Sequence, residues 1–106
     1  MIDIKVYCKN SNYVGILCRG HAGFGPEGRD ILCAGVSALL INLENSLEQF
    51  TQEEYFAEAE DGCFHLSLTN RGERGGLLLD SCVFGLMNIS EEYGEEFIQI
   101  SLQEVK

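Results

Sequence analysis

Residues 30–50 read DILCAGVSALLINLENSLEQF and carry the clearest periodic pattern in the chain. Apolar side chains recur there at intervals of three and four, which is the spacing of one buried helical face. The predicted buried positions are Leu32, Val36, Leu39, Leu40, Leu43, Leu47 and Phe50. Asp30 is placed to cap this helix, because its carboxylate can accept backbone N–H groups of the first turn. Cys33 lies off the apolar stripe, on the same face as Ser37.

Two alternating segments precede this helix. Residues 2–8 and residues 14–18 place apolar and polar side chains on opposite faces, as half-buried strands do. The KNSN cluster at residues 9–12 favours a turn, so the two segments predict a hairpin. Residues 20–29 read GHAGFGPEGR and contain four glycines and the single proline of the chain. This composition predicts a mobile loop.

The same order of elements follows the first helix. Residues 53–60 and 63–69 predict a second hairpin, and residues 97–102 predict a final strand. With a second helix between them, the order is β-β-α-β-β-α-β. The expected fold class is α+β, with two helices packed on a largely antiparallel sheet. The whole chain, residues 1–106, is expected to form a single domain.

The second helix is predicted from its own signals. Asn70 followed by Glu73 resembles a capping box at its start. Gly94 suits its C-terminal end. The predicted buried positions are Leu78, Cys82, Leu86, Ile89 and Tyr93.

The five cysteines are an odd number without a C-x-x-C pair, and neither histidine has a second metal ligand at a suitable interval. No metal and no cofactor are therefore expected. Unpaired thiols are typical of a reducing compartment. No secretion signal and no apolar run near 18 residues is recognised, so we expect a cytoplasmic protein that does not bind membranes.

The formal net charge is −10, from 17 acidic and 7 basic residues. Nucleic acid is not an expected partner, because its binding depends on neutralising phosphates with Lys and Arg. The same negative field attracts a basic polypeptide and accelerates its encounter. The alternative is that acidity only keeps the protein soluble, and the composition leaves both open.

Residues 23–28, GFGPEG, match the G-x-G-x-x-G pattern of dinucleotide sites. The strand before them belongs to a hairpin rather than a βαβ unit, and the chain is too short for two nucleotide-binding halves. No acidic residue follows at the place that would hold a ribose. A flexible loop is therefore favoured, and a flexible loop beside a reactive group is also typical of a lid.

His21 and Cys33 form the strongest candidate pair for chemistry. A thiol attacks as thiolate, and a helix N-terminus lowers its pKa, which applies to Cys33 if Asp30 is the cap. An adjacent imidazole takes the proton and returns it to the leaving group, while free first-turn N–H groups, including that of Cys33, receive an oxyanion. His65 is expected to be a plain surface residue on a strand. From the residues alone, Cys33 is equally well interpreted as a small buried hydrophobic residue.

GHA at residues 20–22 and DILCAGVSAL at residues 30–39 resemble the signature of the ribosomal-processing cysteine protease family, Prp. The resemblance extends through the second helix and the last strand. It implies a homodimeric α+β protease that removes a short N-terminal extension from a basic large-subunit ribosomal protein precursor. It also implies a catalytic dyad of His21 and Cys33 that acts through an acyl-enzyme thioester. The family's supporting residues map onto Gly20, Asp30 and Ser37.

The resemblance further implies that the segment between the dyad residues gates the substrate site. That segment consists of Ala22, Gly23, Phe24, Gly25, Pro26, Glu27, Gly28 and Arg29. Whether Asp30 orients His21 or only caps the helix stays open. The alternative functions are a non-catalytic, acidic, ribosome-associated binding module and a redox thiol switch, although no resolving cysteine lies near Cys33 in sequence.

Overall fold

Strands and helices follow one another in the order that the sequence predicts. The computed structural model describes residues 1–20, 26–60 and 62–106, with the backbone alone for residues 26–30. Its elements are β1 (Ile2–Lys9), β2 (Asn12–Gly20), α1 (Pro26–Phe50), β3 (Tyr55–Glu60), β4 (Cys63–Leu68), α2 (Glu73–Tyr93) and β5 (Ile98–Glu104). The predicted α+β class and the β-β-α-β-β-α-β order are both confirmed.

The five strands form one sheet in the order β3-β4-β2-β1-β5. The pairs β1–β2, β2–β4 and β3–β4 are antiparallel, whereas β1 and β5 are parallel. Ile2 lies opposite Gly20 on one side and opposite Ile98 on the other, so these residues form one row across the end of the sheet. The sheet is therefore largely antiparallel, as predicted, with one parallel edge strand that makes it mixed.

One face of the sheet is covered by both helices. Strand β1 shows the expected alternation, since Ile2, Ile4 and Val6 are buried while Asp3 and Lys5 are exposed. The core joins these side chains to Ile16, Cys18, Leu66, Leu68 and Ile98 from the sheet and to apolar side chains of both helices.

The opposite face of the sheet carries a small aromatic cluster around His65. The His65 ring centroid lies 5.4 Å from that of Phe56 and 6.3 Å from that of Tyr7. His65 is half-buried by these neighbours. It is thus part of a packed group rather than the plain surface residue that alternation predicts.

Helix α1 buries most of its predicted stripe. Leu32, Val36, Leu40, Leu43 and Leu47 are buried in the core. The prediction for Phe50 is wrong, because the helix ends there and the ring is 62% exposed.

The segment Ile31–Phe50 has the length and mean hydropathy, 1.2, of a membrane-spanning helix. This differs from the expectation that no such run exists. Length and composition alone are weak evidence for spanning, since the core helix of a globular domain meets the same criteria. Here the apolar stripe of the segment packs against the sheet.

Helix α1 begins earlier than the sequence predicts. It starts at Pro26, four residues before Asp30, so the prediction that Asp30 is the N-cap is wrong. Residues 26–29, predicted as part of the loop, have helical backbone. Proline favours this start because its fixed φ suits the first helical position, where its missing N–H leaves no bond unmade.

Helix α2 is capped by a side chain from far along the chain. The N-cap is Gly72, and it has no capping side chain of its own. Instead, the two carboxylate oxygens of Glu53 accept N–H groups of Gly72 at 2.8 Å and of Gly75 at 2.7 Å. The predicted capping box of Asn70 and Glu73 is therefore wrong, because a tertiary contact supplies the acceptor.

The buried side of α2 differs partly from the predicted stripe. Leu79 and Val83 are fully buried, although neither was in the predicted set, whereas Tyr93 is exposed. The two helices approach closely at Gly85, where an added Cβ would lie 3.1 Å from Leu39 Cδ1. This close approach aligns α1 across the sheet and thereby fixes where Cys33 lies.

Candidate active site

Cys33 opens onto a groove where α1 passes over one end of the sheet. The groove has a volume of about 340 Å³. Its floor is apolar and includes Ile2, Val36 and Phe64, and its rim includes the carboxylate-bearing Glu60. A half-buried thiol beside an open groove of this size can reach an extended peptide laid along it.

Gly20 forms the end of the groove nearest to His21 in sequence. Its φ is +94°, a conformation that side-chain-bearing residues rarely adopt, and a Cβ there would meet the carbonyl oxygen of Met1. The Gly20 N–H donates to the carbonyl of Gly62 at 3.0 Å. The backbone at the end of β2 is thus held against the groove, while the supporting role of Gly20 stays a prediction.

His21 itself lies outside the described residues, as do Ala22, Gly23, Phe24 and Gly25. The predicted contact between the His21 ring and the Cys33 sulfur therefore stays a prediction. Asp30 does not cap α1, because the helix starts four residues before it. Its side chain lies outside the described residues, so its orienting of His21 stays a prediction.

The position of Cys33 along α1 differs from the prediction. The helix starts at Pro26, so Cys33 lies about two turns into it rather than in its first turn. Within a regular helix the Cys33 N–H bonds to the carbonyl four residues earlier, so it is not a free oxyanion donor. The helix field also weakens beyond the first turn, so the position of Cys33 does not support the predicted activation of the thiol by the helix N-terminus.

Two further thiols line the same groove, those of Cys18 and Cys63. Burial raises the pKa of the Cys18 thiol to about 11, and the nearby Cys63, Cys33 and Asp3 contribute to the rise. Burial raises the pKa of Cys82 to about 12, with a smaller contribution from Cys18. Cys18 and Cys82 thus stay protonated at neutral pH and act as small core residues.

Cys63 is a groove residue that the sequence pattern misses. Alternation along β4 points it away from the core and predicts an incidental surface thiol, but it is half-buried. Cys63 is the first residue of β4. Cys63 and Gly20 both border the groove. Only the pairing of β2 with β4 could have indicated this.

Ser37 follows Cys33 by one turn of α1. It is exposed and also lines the groove. This places it within the surroundings of the thiol, as a supporting residue requires. The structure therefore brings together Gly20, Cys33 and Ser37 of the predicted site residues.

Comparisons with known proteins agree over almost the whole chain. Residues 1–99 match the model of the family described as Cysteine protease Prp. The ribosomal processing cysteine protease Prp of Staphylococcus aureus strain Mu50 is 35% identical over 99 residues, which cover 90% of this chain and 93% of that protein.

Solved structures share the fold. The S. aureus Prp structure with a covalently linked product peptide superposes with a TM-score of 0.89 at 29% identity, covering 97% of this chain and all of that one. The S. aureus Prp structure with a substrate peptide superposes with a TM-score of 0.87 at 28% identity, again covering 97% of this chain and all of that one. A Streptococcus mutans protein gives 0.81 at 28% identity, covering 99% of this chain and 96% of its own.

Proposed function

This chain belongs to the Prp family of cysteine proteases, and we propose that it removes the N-terminal extension of a large-subunit ribosomal protein precursor. The observation that carries the proposal is the half-buried thiol of Cys33 at an open groove next to the strand end that leads into His21. The S. aureus relative is a ribosomal processing protease, and its structures hold substrate and product peptides, which supports a peptide in this groove.

The proposed reaction is nucleophilic catalysis in two steps. His21 takes the proton of the Cys33 thiol, and the thiolate attacks the scissile carbonyl carbon. The imidazolium then gives this proton to the leaving amine, the C–N bond breaks, and a thioester remains on Cys33. Water, deprotonated by His21, attacks the thioester, and the carboxylic acid leaves as the thiol is regenerated. Asp30 and Ser37 are assigned supporting roles.

Three further parts of the proposal concern the charge of the substrate, the location of the enzyme and its association into dimers. The net charge of −10 suits a basic precursor, because opposite charge accelerates encounter. We also place the enzyme in the cytoplasm as a homodimer. The exposed Phe84 side chain, 67% accessible on α2, supports association between copies.

The test is cleavage of a ribosomal protein precursor by the wild-type enzyme and by two matched thiol variants. Cys33→Ala is expected to abolish cleavage, with a loss of at least about 10³-fold, because no other group forms the thioester. Cys63→Ala removes a thiol from the same groove and is expected to keep activity within about twofold. Mass spectrometry of the released peptide gives the cleavage site.

A second measurement addresses the non-catalytic alternative. Iodoacetamide at neutral pH is expected to label Cys33 selectively and to stop cleavage in step with labelling. Undiminished cleavage by Cys33→Ala refutes the proposed protease mechanism. An unreactive Cys33 in an enzyme that binds the precursor without cutting it supports a binding module instead.

A further inference from the structure

A second groove runs beside the edge strand β5, on the other side of β1 from the Cys33 groove. It has a volume of about 490 Å³ and lies between the C-terminal turns of α2 and the strand. Its apolar contacts come from Met87, Ile100 and Leu102. Leu102 is 58% exposed, which is unusual for an apolar side chain on the helix-covered side of a sheet.

The backbone of β5 presents a free edge along this groove. The Ile2 N–H donates to the Phe97 carbonyl at 2.8 Å, so the odd-numbered residues of β5 face β1 in the parallel ladder. The even-numbered residues Ile100 and Leu102 therefore direct their N–H and C=O groups away from β1. In the described parts of the chain, no strand pairs with this side of β5.

The first residue of β5, Ile98, is not part of this free edge, because its backbone groups are already hydrogen-bonded. The Ile98 N–H donates to the Gly94 carbonyl at 3.3 Å, and the Ile98 carbonyl accepts the Ser90 hydroxyl at 3.2 Å. The sequence of β5, IQISLQE, has none of the lysines or prolines that commonly protect edge strands. The edge from Ile100 onward is thus suited to receive another extended chain.

Charge distinguishes between possible occupants of this edge. Asp3, Glu91 and Glu95 line the groove, and none of its described lining residues is Lys or Arg. A second copy pairing symmetrically would bring this acidic surface against itself, which is unfavourable. An extended segment with basic side chains meets the carboxylates with opposite charge, while alternate apolar side chains cover Leu102.

The two grooves are close enough to share one substrate. Gly20, at the Cys33 groove, and Ile98, where β5 begins, flank Ile2 in the same row of the sheet. Two inter-strand spacings separate them, which amounts to roughly 10 Å. About three residues of extended chain span this distance.

We propose that the β5 edge groove is an exosite that binds a basic, extended segment of the substrate by strand addition. The segment is the part that follows the scissile bond, in the basic mature region of the precursor. This inference rests on the proposed function, since it concerns the same substrate, but it assigns a separate surface from the one that cuts.

The experiment compares two substrates. One is the full ribosomal protein precursor, and the other is a synthetic peptide that ends one residue after the scissile bond and so cannot reach β5. The Glu91→Gln/Glu95→Gln variant is expected to raise KM for the precursor about three- to tenfold and to leave KM for the short peptide unchanged. The difference in KM for the precursor between the variant and the wild type is expected to shrink at 0.5 M salt, because salt screens the charges.

A backbone variant tests the strand addition itself. Leu102→Pro removes an N–H that faces away from β1, so the pairing with β1 is kept while the free edge loses a donor. It is expected to raise KM for the precursor only, with the thermal midpoint as the check on folding. The matched control is Glu54→Gln/Glu73→Gln, two exposed carboxylates at the other end of the sheet, which is expected to change neither KM.

The outcomes separate the exosite from the proposed function. If the short peptide is cut in a Cys33-dependent manner but Glu91→Gln/Glu95→Gln changes both KM values equally, or no more than the control does, the exosite is refuted and the protease assignment stands. If wild-type enzyme cuts neither substrate, the proposed function fails. If the β5 variants convert dimers to monomers in sedimentation, the edge is occupied by a second copy and the exosite is wrong.

Discussion

The two helices begin in contrasting ways, although both follow glycine-containing segments. The start of α2 is held by side chains, because Glu53 accepts two of its N–H groups and Arg71 pairs with Asp80 at 2.7 Å. Arg71 also donates to the carbonyl of Tyr13 at 2.7 Å, which ties α2 to the sheet. Near the start of α1 lies instead a groove with Cys33 at its side and Gly20 at its end.

The difference shows how one small domain separates stability from chemistry. At α2 the charged groups are satisfied by one another and by the backbone, which fixes the helix on the sheet. Beside α1, no hydrogen bond among the described residues engages the Cys33 thiol, which lines the groove and is available to a substrate. Changes at the groove beside Cys33 should therefore alter the rate, whereas changes at the cap of α2 should alter the stability.

The largest expected effect is on the histidine that precedes α1. His21→Ala is expected to lower kcat/KM about 10²- to 10⁴-fold, because the thiol loses its general base. Circular dichroism should show an unchanged fold. His65→Ala, at the other histidine, is the control and should leave the rate nearly unchanged, since His65 lies on the opposite face of the sheet among aromatic rings. Equal losses in the two variants would contradict the role of His21.

The next effect concerns the buried thiols of Cys18 in β2 and Cys82 in α2. The pKa values of Cys18 and Cys82 are raised to about 11 and about 12 in the folded state, from 9.0 for a free thiol. Their stabilising contribution is complete below pH 9 and is lost as pH rises through the folded pKa values, because the unfolded chain loses its protons first. We expect the free energy of unfolding to fall by up to about 1.4 kcal/mol per pH unit for each thiol.

This pH dependence is measured by urea unfolding between pH 8 and pH 11 with a phosphine reductant. Cys82→Ala is less stable at pH 8 because it leaves a cavity, but its stability should decline less steeply with pH than that of the wild type. Parallel curves for the two proteins would show that Cys82 does not contribute.

At α2, Glu53→Ala is expected to lower the free energy of unfolding by about 2 kcal/mol, because two charge-assisted hydrogen bonds are lost. The midpoint of thermal unfolding should fall by roughly 10 °C. Activity per folded molecule should stay the same. Glu54→Ala, the adjacent exposed carboxylate, is the control, and a similar loss there would mean that the capping contact is not responsible.

The smallest effect is expected at Ser37. It is exposed beside Cys33, and Ser37→Ala should change kcat by less than about fivefold, the contribution of one ordinary hydrogen bond. Its unfolding midpoint should match that of the wild type. A larger loss of rate would indicate that Ser37 contacts the reacting groups directly rather than supporting them.

Local patterns predicted those features that depend on neighbouring residues. The alternation in β1 and the stripe of α1 identify the core, because burial on one face imposes their periods. The start of α2 could not be predicted, since its cap comes from Glu53, 19 residues before Gly72. The groove position of Cys63 depends on strand pairing, which the sequence does not reveal.

At the site, too, local sequence patterns predicted some features and missed others. The residue pattern around Cys33 left a nucleophile and a small buried residue equally open, and the family resemblance singled it out from the other thiols as the predicted nucleophile. The early start of α1 at Pro26 was missed because glycines at residues 23, 25 and 28 outweighed the proline signal. The two-turn offset of Cys33 from the start of the helix follows from this.

The parallel pairing of β1 with β5 also constrains how the chain folds. Ile2, near the start of the sequence, pairs with Ile98, so the sheet closes only after the intervening residues have been synthesised. A contact of such long sequence separation carries a large loop-closure entropy and slows folding. During translation, the edge of β1 that pairs with β5 stays unpaired until β5 has left the ribosome, so the sheet around the Cys33 groove is completed only then.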